Sequence, residues 1–312
     1  MLFGEHAVIY GYPCIVTAVN ERILVKIQPN DSDQLLVDAP DVKVINYTNK
    51  IKDVGRNRDI PKGVRFIEAA IKQFYDSFSI NQGLRIETKS TFSSKFGFGS
   101  SSAVTVAVIK AFSEIFNKKL TKKEIFDLSY KAVLDVQGTG SGFDLAASIW
   151  GGTIYFVKGG KEIKNIILEK LPLLVGYTGI KADTPSLVSK VAQLRNMHPE
   201  IVNSVFEGIG IVVEKARKYL RNLDMEKLGE LMNLNQGLLE SLGVNSKELS
   251  NLIFSARNSG AYGAKLSGAG GGDCMIALSA KGIRKDIEKA ITDSGGNVLR
   301  VKTNAEGVRI EK

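Results

Sequence analysis

The stretch that most constrains this chain is Lys95-Phe96-Gly97-Phe98-Gly99-Ser100-Ser101-Ser102-Ala103, set between a strand-like segment, Gly83 to Lys89, and a helix-like one, Val104 to Phe116. Glycine turns the backbone where other residues would be strained. Three serines then offer hydroxyls and N–H groups at a helix start. A helix N-terminus carries unpaired N–H donors and the positive end of the helix dipole, so it is a natural seat for phosphate. Two readings are open at this point: a serine-rich helix cap after a glycine turn with nothing bound, or a phosphate seat.

Two more glycine-rich stretches bear on that choice. Gly138-Thr139-Gly140-Ser141-Gly142-Phe143-Asp144 precedes the apolar run Leu145 to Trp150. It places the Asp144 carboxylate at a backbone bend beside apolar packing, where it can accept a proton from a hydroxyl or orient it. A plain helix-capping aspartate is the alternative. Near the C-terminus, Lys265-Leu266-Ser267-Gly268-Ala269-Gly270-Gly271-Gly272-Asp273-Cys274 offers a run of small residues. Such a run lets backbone press against a ligand or against the first loop, and its entropic cost argues against an ordinary turn. No stretch fits the Walker pattern, and Ser102 stands where a dinucleotide fingerprint needs its third glycine. A phosphoryl transferase acting on a small molecule accounts together for phosphate loop, carboxylate and a serine able to hold magnesium.

Composition narrows the partners. The 312 residues carry a formal charge of +9, but the lysines are scattered and no aromatic platform is interleaved with them, which argues against nucleic acid. A solvated basic face that helps attract polyanionic nucleotides fits better. Cys14 and Cys274 lie far apart without metal-ligand spacing, and His6 and His198 alone do not suggest a zinc site. With neither a signal peptide nor an apolar run of membrane-spanning length, a cytoplasmic protein with reduced thiols and no membrane partner is expected.

Along the chain, Cys14 to Asn20, Ile23 to Ile27 and pieces of Leu35 to Ile45 read as strands, and Asn46 to Pro61 as a polar loop. Val64 to Phe78 has helical spacing, and Thr121 with Glu124 forms a capping-box pattern opening a helix through about Val136. The last third reads as helices Thr184 to Leu194, Glu200 to Leu223, Met225 to Leu242 and Ser246 to Ser259, then strand, helix and strand. Mixed order without strict βαβ alternation predicts an α+β, two-lobed fold with the active site in the cleft between lobes. The expected division is residues 1–165, a nucleotide-binding lobe, and 166–312, a helix-rich lobe.

These motifs resemble the small-molecule kinases that group galactokinase, homoserine kinase, mevalonate kinase and phosphomevalonate kinase. Leu2-Phe3-Gly4-Glu5-His6-Ala7-Val8-Ile9-Tyr10-Gly11 is similar to the opening of mevalonate kinases. Gly97 to Ser102 resembles the family's phosphate loop, and Lys265 to Gly272 its C-terminal glycine loop. The resemblance implies the two-lobed fold and an ATP- and Mg2+-dependent transfer to the primary hydroxyl of mevalonate. It also implies roles: Lys95, Gly97, Gly99, Ser100, Ser101 and Ser102 around the nucleotide, Ser101 as magnesium ligand, and Asp144 as base or orienting carboxylate. Glu5, His6, Gly268, Ala269 and Gly270 would serve the acceptor substrate, and Gly268 to Gly272 would support the phosphate loop. Val133 stands where the family carries a magnesium-holding glutamate. The family's lysine ahead of the first motif would precede Met1, so the expectation is a mis-assigned or truncated start. The inner motifs around Lys95-Phe96, Asp144 and Asp273-Cys274 look more like phosphomevalonate kinase, which is the alternative acceptor reading. A non-catalytic nucleotide-binding protein is the alternative of a different class, and a homodimer is one open oligomeric state.

Overall fold

The computed structural model describes every residue except Arg58, Ser94, Lys95, Glu169 and Lys312. The chain groups into two compact units, each assembled from separate stretches. Unit 1 comprises Met1–Asn20, Lys95–Gly97 and Gly152–Ala305; unit 2 comprises Glu21–Ser94, Phe98–Gly151 and Glu306–Lys312. This grouping is spatial, whereas the division at residue 165 runs along the chain: the opening stretch Met1–Asn20 groups with Gly152–Ala305.

Strand β1 (Pro13–Thr17) precedes β2 (Ile23–Asn30), β3 (Gln34–Ala39) and β4 (Val44–Lys50). Helix α1 (Lys62–Phe78) and β5 (Gly83–Ser90) lead to α2 (Ser100–Ile115), α3 (Lys122–Gln137) and α4 (Phe143–Trp150). Next come β6 (Thr153–Val157), β7 (Glu162–Ile166) and β8 (Leu173–Tyr177), then α5 (Thr184–Met197), α6 (Pro199–Asn222), α7 (Met225–Ser241) and α8 (Lys247–Asn258). Strands β9 (Gly263–Ser267) and β10 (Cys274–Leu278), helix α9 (Arg284–Asp293) and β11 (Asn297–Leu299) complete the order. The class is α+β, as expected. The stretch read as a polar loop, Asn46 to Pro61, instead carries most of β4. The equally polar β7 was not foreseen, because Glu162, Lys164 and Asn165 hide its alternation.

In unit 2 the sheet order is β2-β5-β3-β4, with β3 and β5 parallel and the other pairs antiparallel. Leu35, Val37, Leu84 and Ile86 are fully buried from the two inner strands. Pro29 lies in the edge strand β2, where a missing ladder donor is tolerated. Helix α1 packs against α2 and α3, and against α2 it does so through a ring cluster in which Phe74 lies 5.3 Å from Phe112 and 4.7 Å from Phe78, centroid to centroid. Such offset and tilted ring pairs add stabilisation beyond burial alone. The capping box at Thr121 and Glu124 is formed, with both reciprocal bonds present.

Unit 1 holds two antiparallel sheets, β1-β6-β7 and β11-β8-β10-β9. Its core gathers Phe206, Ile209, Leu239, Leu252, Leu266, Met275 and Ile291. Strand β9 is an edge, and α7 closes it. The Ala264 N–H donates to Asn233 Oδ1 (3.2 Å) and the Leu266 N–H to Gln236 Oε1 (2.8 Å), while Arg257 donates to the Ala264 carbonyl (2.6 Å). Side-chain amides thus satisfy backbone groups that an unpaired edge would leave open. Gly229 lets α7 approach this closely: a Cβ there would lie 2.2 Å from the Tyr262 carbonyl oxygen. Among the described residues no helix is long and apolar enough to cross a membrane.

Candidate active site

The first and third motifs meet inside unit 1. Gly4 adopts φ +100°, and a Cβ on it would fall 2.5 Å from Cys14 Cβ, so only glycine fits against β1. His6 follows with φ 59°, a conformation side chains other than glycine seldom adopt. This tight turn sends Glu5 and His6 inward, where both are buried. Glu5 Oε1 pairs with the ammonium of Lys265, which is itself fully buried on β9. The Lys265 ammonium also donates to the Leu266 carbonyl. Burial pulls the Lys265 pKa down and the Glu5 carboxylate opposes that fall. His6 Nε2 lies 2.9 Å from the Ala269 carbonyl oxygen; because a carbonyl only accepts, Nε2 carries the proton. Burial lowers the His6 pKa, with the Ala269 bond and Glu5 opposing, so the ring is held toward its neutral form. Its Nδ1 is then a lone-pair acceptor, and among the described residues neither Nδ1 nor the buried Glu5 Oε2 has a hydrogen-bond partner.

The third motif divides into two parts with different duties. A Cβ on Gly268 would meet nothing within 4 Å, whereas one on Gly270 would lie 2.1 Å from the Val244 carbonyl oxygen. Gly270 is therefore required by packing within unit 1, and Ala269 contributes its carbonyl to His6. The motif ends at Asp273, whose carboxylate accepts from the Ala182 N–H (3.0 Å) and pairs with Lys181 Nζ (3.2 Å). Gly97 leans on that carboxylate: a Cβ on it would lie 2.6 Å from Asp273 Oδ2. The adjacent Phe96 carbonyl accepts from the Cys274 thiol (3.3 Å), and burial, with the Asp273 carboxylate beside it, pushes that thiol up to about 12.

The second motif continues into unit 2. Gly99 is the N-cap of α2 in the left-handed conformation (φ 74°), and among the described residues no side chain caps this helix. The first-turn N–H groups over Ser100, Ser101 and Ser102 thus face out of the helix end without a capping oxygen. Thr105 Oγ1 donates to the Ser101 carbonyl (2.8 Å), whereas among the described residues no hydrogen bond occupies the Ser101 hydroxyl. A Cβ on Gly99 would lie 3.3 Å from Asp144 Cγ, so the helix start and this carboxyl are in contact. Asp144 stands in the first turn of α4, behind Gly142, which caps α4 at φ 90°. Gly142 is seated on the rings of Phe126 and Tyr130, where a Cβ would lie 3.1 Å from either. Tyr130 Oη also donates to the Gly140 carbonyl (2.9 Å) and ties the second glycine stretch to α3. Burial pushes the Asp144 carboxyl up to about 6.

Five of the expected residues therefore fall into three contacts: His6 with Ala269, Gly97 with Asp273, and Gly99 with Asp144. Lys95 lies outside the described residues. Val133 is buried on α3, where a Cβ on Gly140 would lie 3.9 Å from it, and its side chain has no oxygen to offer a metal. Asp135 bonds Gln73 of α1 instead. Sequence reasoning missed Lys265 as the partner of Glu5, because 260 positions separate them. It missed Lys181 and Asp273 likewise; the one signal available was a charged residue closing a run of glycines.

The fold and the order of these motifs are those of small-molecule kinases. A model of the GHMP kinases N terminal domain matches residues 65–152 and one of the GHMP kinases C terminal matches residues 216–297. The chain belongs to the GHMP kinase family, whose members use ATP as phosphate donor. Over its whole length it is 38% identical to the mevalonate kinase of Pyrococcus abyssi and 39% identical to that of Pyrococcus horikoshii, spanning 95% of each. A structure of L. major mevalonate kinase in complex with R-mevalonate is similar with TM-score 0.77 at 27% identity, over 98% of this chain and 94% of that one. A Streptococcus pneumoniae phosphomevalonate kinase shares the fold, with TM-score 0.81 at 22% identity over 97% of this chain and 96% of that one.

Proposed function

We propose that this chain is a mevalonate kinase, transferring the γ-phosphoryl group of ATP to the primary hydroxyl of mevalonate to give 5-phosphomevalonate and ADP. The observation that carries the mechanism is the contact of Gly99 with Asp144, which sets an uncapped helix N-terminus beside a carboxyl held near neutrality. The acceptor is supported by mevalonate kinases 36–39% identical over the full length of the chain. In this reading the N–H groups at the start of α2 hold the nucleotide phosphates, with Gly99 and Ser100 to Ser102 forming the seat, and the motif assigns Lys95 and Gly97 to the same nucleotide. The ionised Asp144 accepts the proton of the primary hydroxyl as its oxygen attacks the γ-phosphorus; the bond from that phosphorus to the β-phosphate oxygen breaks and ADP leaves.

Glu5 Oε2 and His6 Nδ1 supply two acceptors that a hydroxylated substrate would satisfy, and Gly268 and the turn of Ala269 and Gly270 shape the same end. A magnesium ion carried by the nucleotide fits the unengaged Ser101 hydroxyl. Magnesium keeps several waters and takes only one or two protein oxygens beside phosphates, and it would neutralise charge on the transferred group. Changing Asp144→Asn is expected to lower kcat by about 100- to 10,000-fold, the range for a positioned acid–base group, while nucleotide binding persists. Near-normal turnover in that variant would remove Asp144 from the mechanism.

A further inference from the structure

Resting on the reading that α2 seats the nucleotide phosphates, we infer that Asp273 and Lys181 are positioning residues for the approach to that seat. Asp273 is unusually well fixed. Its N–H donates to the Ile180 carbonyl (2.7 Å), and its own carbonyl accepts from the Thr178 N–H (2.9 Å) and hydroxyl (3.1 Å). Its carboxylate accepts from the Ala182 N–H (3.0 Å), and Lys181 Nζ lies 3.2 Å from Oδ1 and 3.3 Å from Oδ2. Its backbone sits at φ 53°, a conformation that costs a side-chain-bearing residue energy and persists only where surroundings enforce it.

What this rigid carboxylate touches is Gly97. The φ of +70° at Gly97 and the 2.6 Å from its would-be Cβ to Oδ2 leave no room for any side chain. The next residue repeats the arrangement: the Cys274 thiol donates to the Phe96 carbonyl (3.3 Å), and the Phe96 ring packs edge-on to Tyr177 at 5.2 Å. Phe96 and Gly97 are thereby registered against the ends of β8 and β10, two residues ahead of the Gly99 cap. Fixing that register limits the freedom of the chain that leads covalently into the Gly99 cap, and donors ordered beforehand bind an anion without a reorganisation cost. Lys181 keeps Asp273 oriented and neutralises it, so that the carboxylate held against Gly97 carries no uncompensated charge.

The test uses Lys181→Met and Asp273→Asn in the full chain. Calorimetric titration with a non-hydrolysable ATP analogue and magnesium gives nucleotide affinity, and steady-state kinetics give KM for ATP and for mevalonate separately. Lys181 is half-exposed, so its variant is expected to fold even if the Asp273 variant does not. Both changes are expected to weaken nucleotide binding about tenfold and to raise KM for ATP, with KM for mevalonate unchanged. The double variant should be no worse than the worse single, because both act through one pair. Unchanged nucleotide affinity in folded Lys181→Met overturns the inference. So does equal loss toward both substrates alongside a lower melting temperature, which marks a purely structural role. Loss in Lys181→Met with tighter binding in Asp273→Asn overturns it too, because Lys181 would then hold phosphate directly. Wild-type enzyme that binds the analogue yet turns over no mevalonate defeats the acceptor reading alone; wild-type that binds no nucleotide defeats both.

Discussion

At the scale of single residues, burial decides the chemistry available. A carboxyl in water is ionised far below neutrality, but burial pushes Asp144 up to about 6. The sign follows directly: a base must be ionised to accept a proton, so activity is low below that value and rises with pH to a plateau above it. The kcat/KM profile is expected to show an acid limb near pH 6 that disappears in Asp144→Asn; a flat profile from pH 5 to 7 would contradict the assignment.

Glu5 and Lys265 make the opposite use of burial, since each is tolerable inside only because of the other. Removing one partner of a buried pair leaves an uncompensated charge and typically costs about 3–5 kcal/mol, whereas replacing both by apolar groups is often near neutral. Lys265→Met alone should therefore lower stability in denaturant titration by about that amount, and the double change Glu5→Leu with Lys265→Met should recover most of the loss. Additive losses would show that the pair is not coupled.

At the scale of elements, the stiffness behind the site comes from backbone groups that are answered by side chains. Strand β9 carries Lys265, and its outer N–H groups are met by Asn233 and Gln236 of α7. Gln236→Leu would leave the buried Leu266 N–H unpaired, at a cost of about 1–3 kcal/mol in stability, read from the urea midpoint at constant slope. An unchanged midpoint would mean that another acceptor replaces the amide.

Much of this level was legible in the sequence, for stated reasons. The helices α1, α3 and α6 to α8 show apolar spacing and, for α3, a cap written in Thr121 and Glu124. The glycines at 97, 99 and 142 announced positive φ, and all three adopt it. What was hidden depended on partners distant in the chain. The β7 strand buries only Ile166 and exposes the adjacent Lys164 and Asn165, so it shows no alternation, and the bonds of Asp273 to residues 178–182 leave no local trace.

At the scale of the whole molecule, chain order and spatial grouping part company. Unit 1 takes in both Met1–Asn20 and Gly152–Ala305, which is why motifs more than 250 positions apart, such as Glu5 and Lys265, share one buried pair. Sequence order alone suggests two consecutive lobes, because nothing local in residues 1–20 states which later strand they will join. The family follows from the three motifs and was legible at once. The acceptor was legible less firmly: the opening motif pointed to mevalonate, in agreement with the full-length relatives, whereas the inner motifs pointed to its phosphate.

The central claim is that mevalonate is the acceptor, and one measurement bears on it most directly: coupled ADP release with saturating ATP and magnesium, run on mevalonate and on 5-phosphomevalonate side by side. The account predicts turnover on mevalonate with a kcat/KM at least about 100-fold above that for phosphomevalonate, a separation of roughly 2.7 kcal/mol in transition-state binding. A preference in the reverse sense, or ADP release on neither, would contradict it.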